Sequence, residues 1–427
     1  MTFKPFKLFT FALLFLVVLA GCGSSTTNSG ENTNASSGPV EIEFWHAMSG
    51  NLGEELEAIT KEFNEKHEDI NVKLVFMKDY PTITNKFQLA LQSKQYPALL
   101  QLDDATLQTF ASSGHLHELN DSITESNLEL DDYVDGFIEA ASQDDSIYGL
   151  PLNRSVPMLY YRKDIFEQNG IDPSRIETWE GVRSVSNELV EKGAIDIGFE
   201  PIRYPWFFSG LAWSNGAELG DTAEEVSLNS PEAKEALQFW GDMIHKDGVS
   251  KVHYGGEGWA YWYDTIGDLS KGKAAMVTGS TADMAAMDEN IGAAFFPKFE
   301  GEELRVPIGG SSGVIPKEAS DEQKQAAFQF MTYFSKPEVT AQWSKGTGYL
   351  PVRYSAKENM QEFLSENPNF EVAVDELKYA RPTPLFPKWN QVETEAINKA
   401  FDQVFVEGIS ADKALDDAQK KAENIVK

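Results

Sequence analysis

The chain has 427 residues, 41% of them hydrophobic, with one cysteine and a formal net charge of −31. That length is too great for one ordinary domain and fits two or three, each with a real core. The charge repels nucleic acid and anionic headgroups, which speaks against a nucleic-acid partner and fits an exposed, monomeric protein.

The N-terminus reads as an export segment. Lys4 and Lys7 flank an apolar run over 8–20, too short for a membrane span. It ends Leu19-Ala20-Gly21-Cys22, small residues directly before the only cysteine. This order resembles the lipobox of bacterial lipoproteins, where the signal is cut before a cysteine that takes lipid. The expectation is a signal peptide over 1–21, lipidation at Cys22 and a tether over 22–38. The tether's Ser, Thr, Asn and Gly content cannot bury a core. The expected location is the extracytoplasmic face of the cell membrane, held by lipid.

From residue 40 onward strands and helices alternate. VEIEFW at 40–45, INVKLVFM at 70–77 and ALLQL at 98–102 read as strands. Apolar spacing predicts helices over 52–67, 80–93 and 106–112 between and after them. This is the pattern of a mostly parallel sheet covered on both faces, with ligand expected at the strands' carboxyl ends. The apolar run 156–161 reads as a buried strand behind a polar entrance, Asn153-Arg154-Ser155. That entrance is either a crossing between two bodies or an ordinary turn within one sheet. Helices are then predicted at 179–192, 205–213, 231–246 and 262–271, with strands at 274–278 and 293–296. Further crossings are expected at 306–316 and 348–352, with helices at 322–334 and 337–345 between them, and a helical tail follows from 392.

Five segments resemble, in order, the extracellular solute-binding proteins of ABC importers, family 1, and among them the glycerol-3-phosphate-binding and maltose-binding members. They are FWHAM at 44–48, PALLQLDD at 97–104, PLNRSVPMLYYRKDIF at 151–166, GKAAMVTGS at 272–280 and TGYLPV at 347–352. The resemblance implies an α/β, two-lobed periplasmic-binding-protein-like fold, each lobe a mostly parallel sheet flanked by helices, with three crossing segments. One lobe would hold 39–152 plus 310–348, the other 153–309 plus 349–427. It implies a receptor without cofactor that captures a small ligand between lobes and hands it to ABC permease subunits.

By the same resemblance, the ligand-binding positions are Tyr80, Asp103, Asp104, Ser155, Trp206, Ser280, Gly310, Tyr349, Trp389 and Glu393. Carboxylates accept from neighbouring hydroxyls of a polyol, and flat aromatic rings pack on the C–H faces of sugars. Several of these positions have a plainer alternative. Asp103 and Asp104 suit helix N-caps before Thr106, Tyr80 and Trp206 suit core packing, and Ser280 and Gly310 suit hinge geometry. The run Trp259, Tyr261, Trp262, Tyr263 either walls a longer sugar or packs a helix start. Where the glycerol-3-phosphate-binding member has a phosphate-holding Arg, Glu393 stands here. This favours a neutral sugar or oligosaccharide over glycerol-3-phosphate or a glycerophosphodiester, for which Arg154 and Arg203 are the possible partners. An exported glycosidase is the remote alternative: Asp103 and Asp104 are paired acids, but neighbours in sequence do not set the separation that chemistry needs. Six scattered histidines show no metal spacing, and no HExxH or Walker loop occurs.

Overall fold

The computed structural model describes residues 38–427. The expected signal segment, Cys22 and nearly all of the tether lie outside the described residues. Among the described residues, no helix is long and apolar enough to cross a membrane.

Two sheets organise the chain. The first has five strands, ordered Ile70–Phe76, Val40–His46, Leu99–Leu102, Gly309–Val314 and Gly149–Ser155. Alternating side chains serve its two faces. Ile42, Phe44 and Leu99 join a core with Leu56, Ile59 and Phe63 of helix Asn51–Lys66 and Phe330 of helix Asp321–Phe334. Leu100 and Leu102 join a second core with Ile83 and Phe87 of helix Tyr80–Ser93 and Leu107 and Phe110 of helix Asp104–Ser112. This is the side-chain period of two expected of a strand buried on both sides. The second sheet has four strands, ordered Ile291–Phe295, Pro157–Arg162, Ala274–Ser280 and Ile197–Glu200. Its core includes Trp179, Trp240, Phe207 and Phe296.

The α/β class holds, and in each sheet all strands but one run the same way, so the sheets are mostly parallel with one reversed strand apiece. In the first, Val40–His46 runs parallel to both neighbours, while Gly309–Val314 is antiparallel to both of its own. In the second, Pro157–Arg162 is antiparallel to both of its neighbours, and Ile197–Glu200 with Ala274–Ser280 is parallel. The reason is the crossings. A strand that enters from the other sheet comes in at the far end, and so runs against the local βα units.

The crossings are short. Val156 alone separates a strand of the first sheet from one of the second, so the polar entrance is not a turn within one sheet. Ile308 separates Val306–Pro307, paired with Ala380–Arg381, from Gly309–Val314. At the third, Gly348 closes helix Pro337–Thr347 at φ 82°, and the Leu350 N–H donates to the Arg154 carbonyl at 2.7 Å.

Asn153 and Arg154, at the polar entrance, are both buried. Arg154 Nη1 donates to both Asp104 oxygens at 2.7 and 2.8 Å, and Nη2 to Ser312 Oγ at 2.7 Å and the Phe137 carbonyl at 3.3 Å. Asn153 is held by Gln101, whose Nε2 donates to its Oδ1 at 2.9 Å, and by the Ser311 hydroxyl. Two adjacent polar residues are thus buried with partners, which is the condition for tolerating them.

Candidate functional site

Between the two sheets lies a cavity with about 180 Å³ of room for the centres of water molecules. Nine of the ten sequence-derived positions line it: Tyr80, Asp103, Asp104, Ser155 and Trp206, then Ser280, Gly310, Tyr349 and Glu393. The tenth, Trp389, does not. It is fully buried, packs edge-on against Phe386 and lies beside Glu393. The stacking role expected of it is therefore corrected: the ring one turn before Glu393 points into the core.

Asp104 lines the cavity with its carboxyl already engaged. Both its oxygens accept from Arg154 Nη1, which leaves part of its acceptor capacity for a further donor. Burial pushes its carboxyl up to about 6, against the pull of the Arg154 charge. Asp103 caps helix Asp104–Ser112, accepting from the Thr106 N–H at 3.0 Å and its hydroxyl at 2.9 Å, as the helix-cap alternative requires. It still reaches the cavity, and burial raises its pKa.

Aromatic side chains make the walls. Tyr80 stands edge-on to Trp259 at 5.8 Å; Tyr204 meets Trp259 at 5.4 Å and Trp262 at 5.9 Å. Trp206 is mostly buried, its indole N–H donating to the Ile308 carbonyl at 3.2 Å. Gly309 makes room for it, since a Cβ there would sit 2.6 Å from the ring. Gly310 has φ +103°, where a Cβ would fall 2.0 Å from the Asn153 carbonyl oxygen, so no other residue fits this crossing.

The carboxyl groups divide by role. Asp283 closes a capping box with Ser280, accepting from the Ser280 N–H at 2.7 Å. Its two oxygens also accept from the Trp262 indole N–H at 3.0 and 3.1 Å, which fixes that ring as a wall. Burial pushes Asp283 up to about 6. Glu393 opens a π-helical turn over Glu393–Ile397. Burial, with the nearby charge of Asp103 adding, pushes it up to about 8. No Lys, Arg or His is among the lining residues. Arg154 is sealed beneath Asp104, and Arg203 donates to Asp402 at 2.5 Å; neither possible phosphate partner lines the cavity.

Sequence reasoning did not single out Asp283 or Tyr204. Asp283 had a signal in Ser280-Thr-Ala-Asp283, the spacing of a capping box. A second pattern runs the other way. Gly309-Gly310-Ser311-Ser312-Gly313 spells the G-x-S-x-G of a hydrolase nucleophile. Ser311, however, is buried mid-strand and bonded to Asn153 and Gln101, not on a strand-to-helix elbow.

Two contacts bridge the cavity mouth. Ser49 Oγ lies 3.0 Å from the Tyr263 hydroxyl, and Lys78 Nζ 2.9 Å from Glu257. Each joins a loop after a first-sheet strand to the segment carrying Trp259 and Trp262.

The model of the family described as bacterial extracellular solute-binding protein matches residues 58–372, more than half of the chain. The chain belongs to this family. It is 30% identical over 363 residues, 81% of this chain and 83% of the relative, to the sn-glycerol-3-phosphate-binding periplasmic protein UgpB of Rhizobium meliloti. A structure of UgpB from Mycobacterium tuberculosis in complex with glycerophosphocholine superposes with a TM-score of 0.80 at 27% identity, covering 91% of this chain and 98% of that one. Maltose-bound MalE3 of T. maritima superposes with a TM-score of 0.81 at 22% identity, covering 90% and 99%, and so shares the fold. Members of this family are the solute-binding components of ABC importers, and this chain is one of them.

The raised pKa of Glu393 has a thermodynamic consequence. Its ordinary value is 4.5 and its folded value about 8, so between these the folded state holds a proton that the unfolded chain releases. Its contribution to stability is intact below pH 4.5 and is lost as pH rises through about 8. The Glu393→Gln variant removes this loss. Its melting temperature, relative to wild type, should climb between pH 5 and pH 8.5; a difference independent of pH would contradict the assignment.

Proposed function

We propose that this solute-binding protein captures a neutral carbohydrate, a sugar or oligosaccharide, between two lobes, 39–152 with 310–348 and 153–309 with 349–427. The observation that carries this reading is the composition of the cavity. Aromatic rings and carboxyl groups line it, and no cationic side chain does. A phosphate brought here would be an anion buried with no cationic partner, at a cost of several kcal/mol. A sugar hydroxyl in the same place donates to or accepts from a protonated carboxyl for a gain of about 0.5–1.5 kcal/mol. Trp259, Trp262 and Tyr80 offer faces and edges to the C–H surface of a sugar ring.

Closure follows from the same geometry. A ligand that touches Tyr80 and Asp103 on one side and Trp262 and Glu393 on the other shifts the open–closed equilibrium by its preference for the closed form. The bridging contacts at the mouth are exposed, so ligand contact supplies most of that preference. The closed form is then read by permease subunits, with the monomer held near them by lipid on Cys22. Replacing Cys22 by Ser should move the protein from the membrane fraction to the soluble one; full retention in membranes would refute the anchor.

A glycerophosphodiester is the second reading, supported by the UgpB relatives. A zwitterion with a quaternary ammonium end could set that end against the aromatic walls and Glu393. Calorimetry on the purified protein separates the two, titrating maltose-type oligosaccharides, monosaccharides, glycerol-3-phosphate and glycerophosphocholine. One equivalent of a neutral sugar should bind, the radius of gyration should fall on saturation, and Trp259→Ala should weaken binding by about 1–3 kcal/mol. Binding of glycerophosphocholine with no response to any sugar would overturn the carbohydrate reading in favour of the second.

A further inference from the structure

Away from the cavity, three metal-ligating side chains from three elements converge. Glu200 ends the edge strand Ile197–Glu200, His253 lies in the loop before helix Ala260–Ser270, and Asp268 lies in that helix. Their donor atoms all lie within 4.8 Å of one another. His253 Nε2 is 3.0 Å from Asp268 Oδ2 and 3.8 Å from Glu200 Oε2. Four donors around zinc at bond lengths near 2.0–2.1 Å stand roughly 3.3 Å apart, and these separations bracket that value.

The independent sign is Glu200. Its side chain is fully buried, and neither carboxyl oxygen has a hydrogen-bond partner. A buried carboxyl with no donor is a costly arrangement that a native chain keeps for a reason. One oxygen already faces the imidazole, and an Asp268 oxygen approaches the same ring nitrogen. Lys273 donates to the other Asp268 oxygen at 2.9 Å, but its side chain is largely exposed and free to leave.

We propose that Glu200, His253 and Asp268 bind a divalent transition metal of the zinc class. One imidazole with two carboxylates suits Zn²⁺ or Mn²⁺ rather than Ca²⁺ or Mg²⁺, which favour all-oxygen shells. Three protein ligands leave a further position for water or Lys273's replacement by solvent. The ion has a structural consequence for the binding site. Helix Ala260–Ser270 also carries Trp262 and Ile266, which line the cavity, and the loop with His253 leads into Trp259. A metal here would fasten the aromatic wall to the edge of the second sheet, whatever solute the cavity takes.

The test uses full-length protein stripped with EDTA and dialysed, titrated calorimetrically with ZnCl₂ and MnCl₂, with CaCl₂ and MgCl₂ alongside. One equivalent of Zn²⁺ should bind and raise the melting temperature. His253→Gln and Asp268→Asn should each weaken binding by about tenfold or more. His253 is partly exposed, so its substitution is compatible with folding, which circular dichroism checks. Absence of Zn²⁺ and Mn²⁺ binding to wild type would overturn the proposal. So would stoichiometric Zn²⁺ binding of undiminished affinity in both variants, because the ion would then sit elsewhere.

Discussion

The ion pair between Arg154 and Asp104 is the interaction on which the rest is arranged. It sits where the chain leaves the first sheet, and the guanidinium joins four pieces of the fold: the start of helix Asp104–Ser112, the Phe137 carbonyl, strand Gly149–Ser155 and Ser312 of strand Gly309–Val314. Burying the two charges costs several kcal/mol each, offset by their attraction and by the added hydrogen bonds. Breaking one side of such a pair costs about 3–5 kcal/mol, because the remaining charge is left without a partner. The pair therefore holds two crossing strands and one cavity-lining helix in a single register. It also consumes the basic residue nearest the cavity.

That consumption sets the chemistry of the site. With Arg154 sealed and Arg203 turned to Asp402, the cavity keeps its acids and loses its cations. Burial then raises the pKa of Glu393 and Asp283, and a carboxyl poised near neutrality both donates and accepts. A surface of aromatic faces and adaptable carboxyls discriminates by charge before it discriminates by shape. Asp283 adds rigidity without touching the far wall, since it holds Trp262 through its indole N–H.

Much of this was legible in the sequence because local signals and tertiary demands agree. Helices Tyr80–Ser93 and Pro205–Trp213 begin and end where spacing and Pro placed them. The crossings announced themselves through Gly309, Gly310 and Gly348, which the close approach of neighbouring backbone or ring requires. The one reversed strand in each sheet was not legible, since periodicity reports burial and is blind to whether a neighbour runs parallel. Nor was the partner of Arg154, because Asp104 is fifty residues away and only the fold brings them together. Trp389 failed for another reason. Resemblance fixes which helix bears a residue, but not whether neighbours cover it, and Trp389 is sealed against Phe386.

The most direct test is the ratio of affinities for a neutral sugar that the wild type binds and for glycerol-3-phosphate, measured by calorimetry in wild type and in Glu393→Arg. If the missing cation is what excludes the anion, wild type should favour the sugar, and the variant should lower that ratio by at least about tenfold, the equivalent of 1.4 kcal/mol. A wild type that prefers glycerol-3-phosphate, or a ratio unmoved by the new charge, would contradict the claim that a cation-free wall selects the solute.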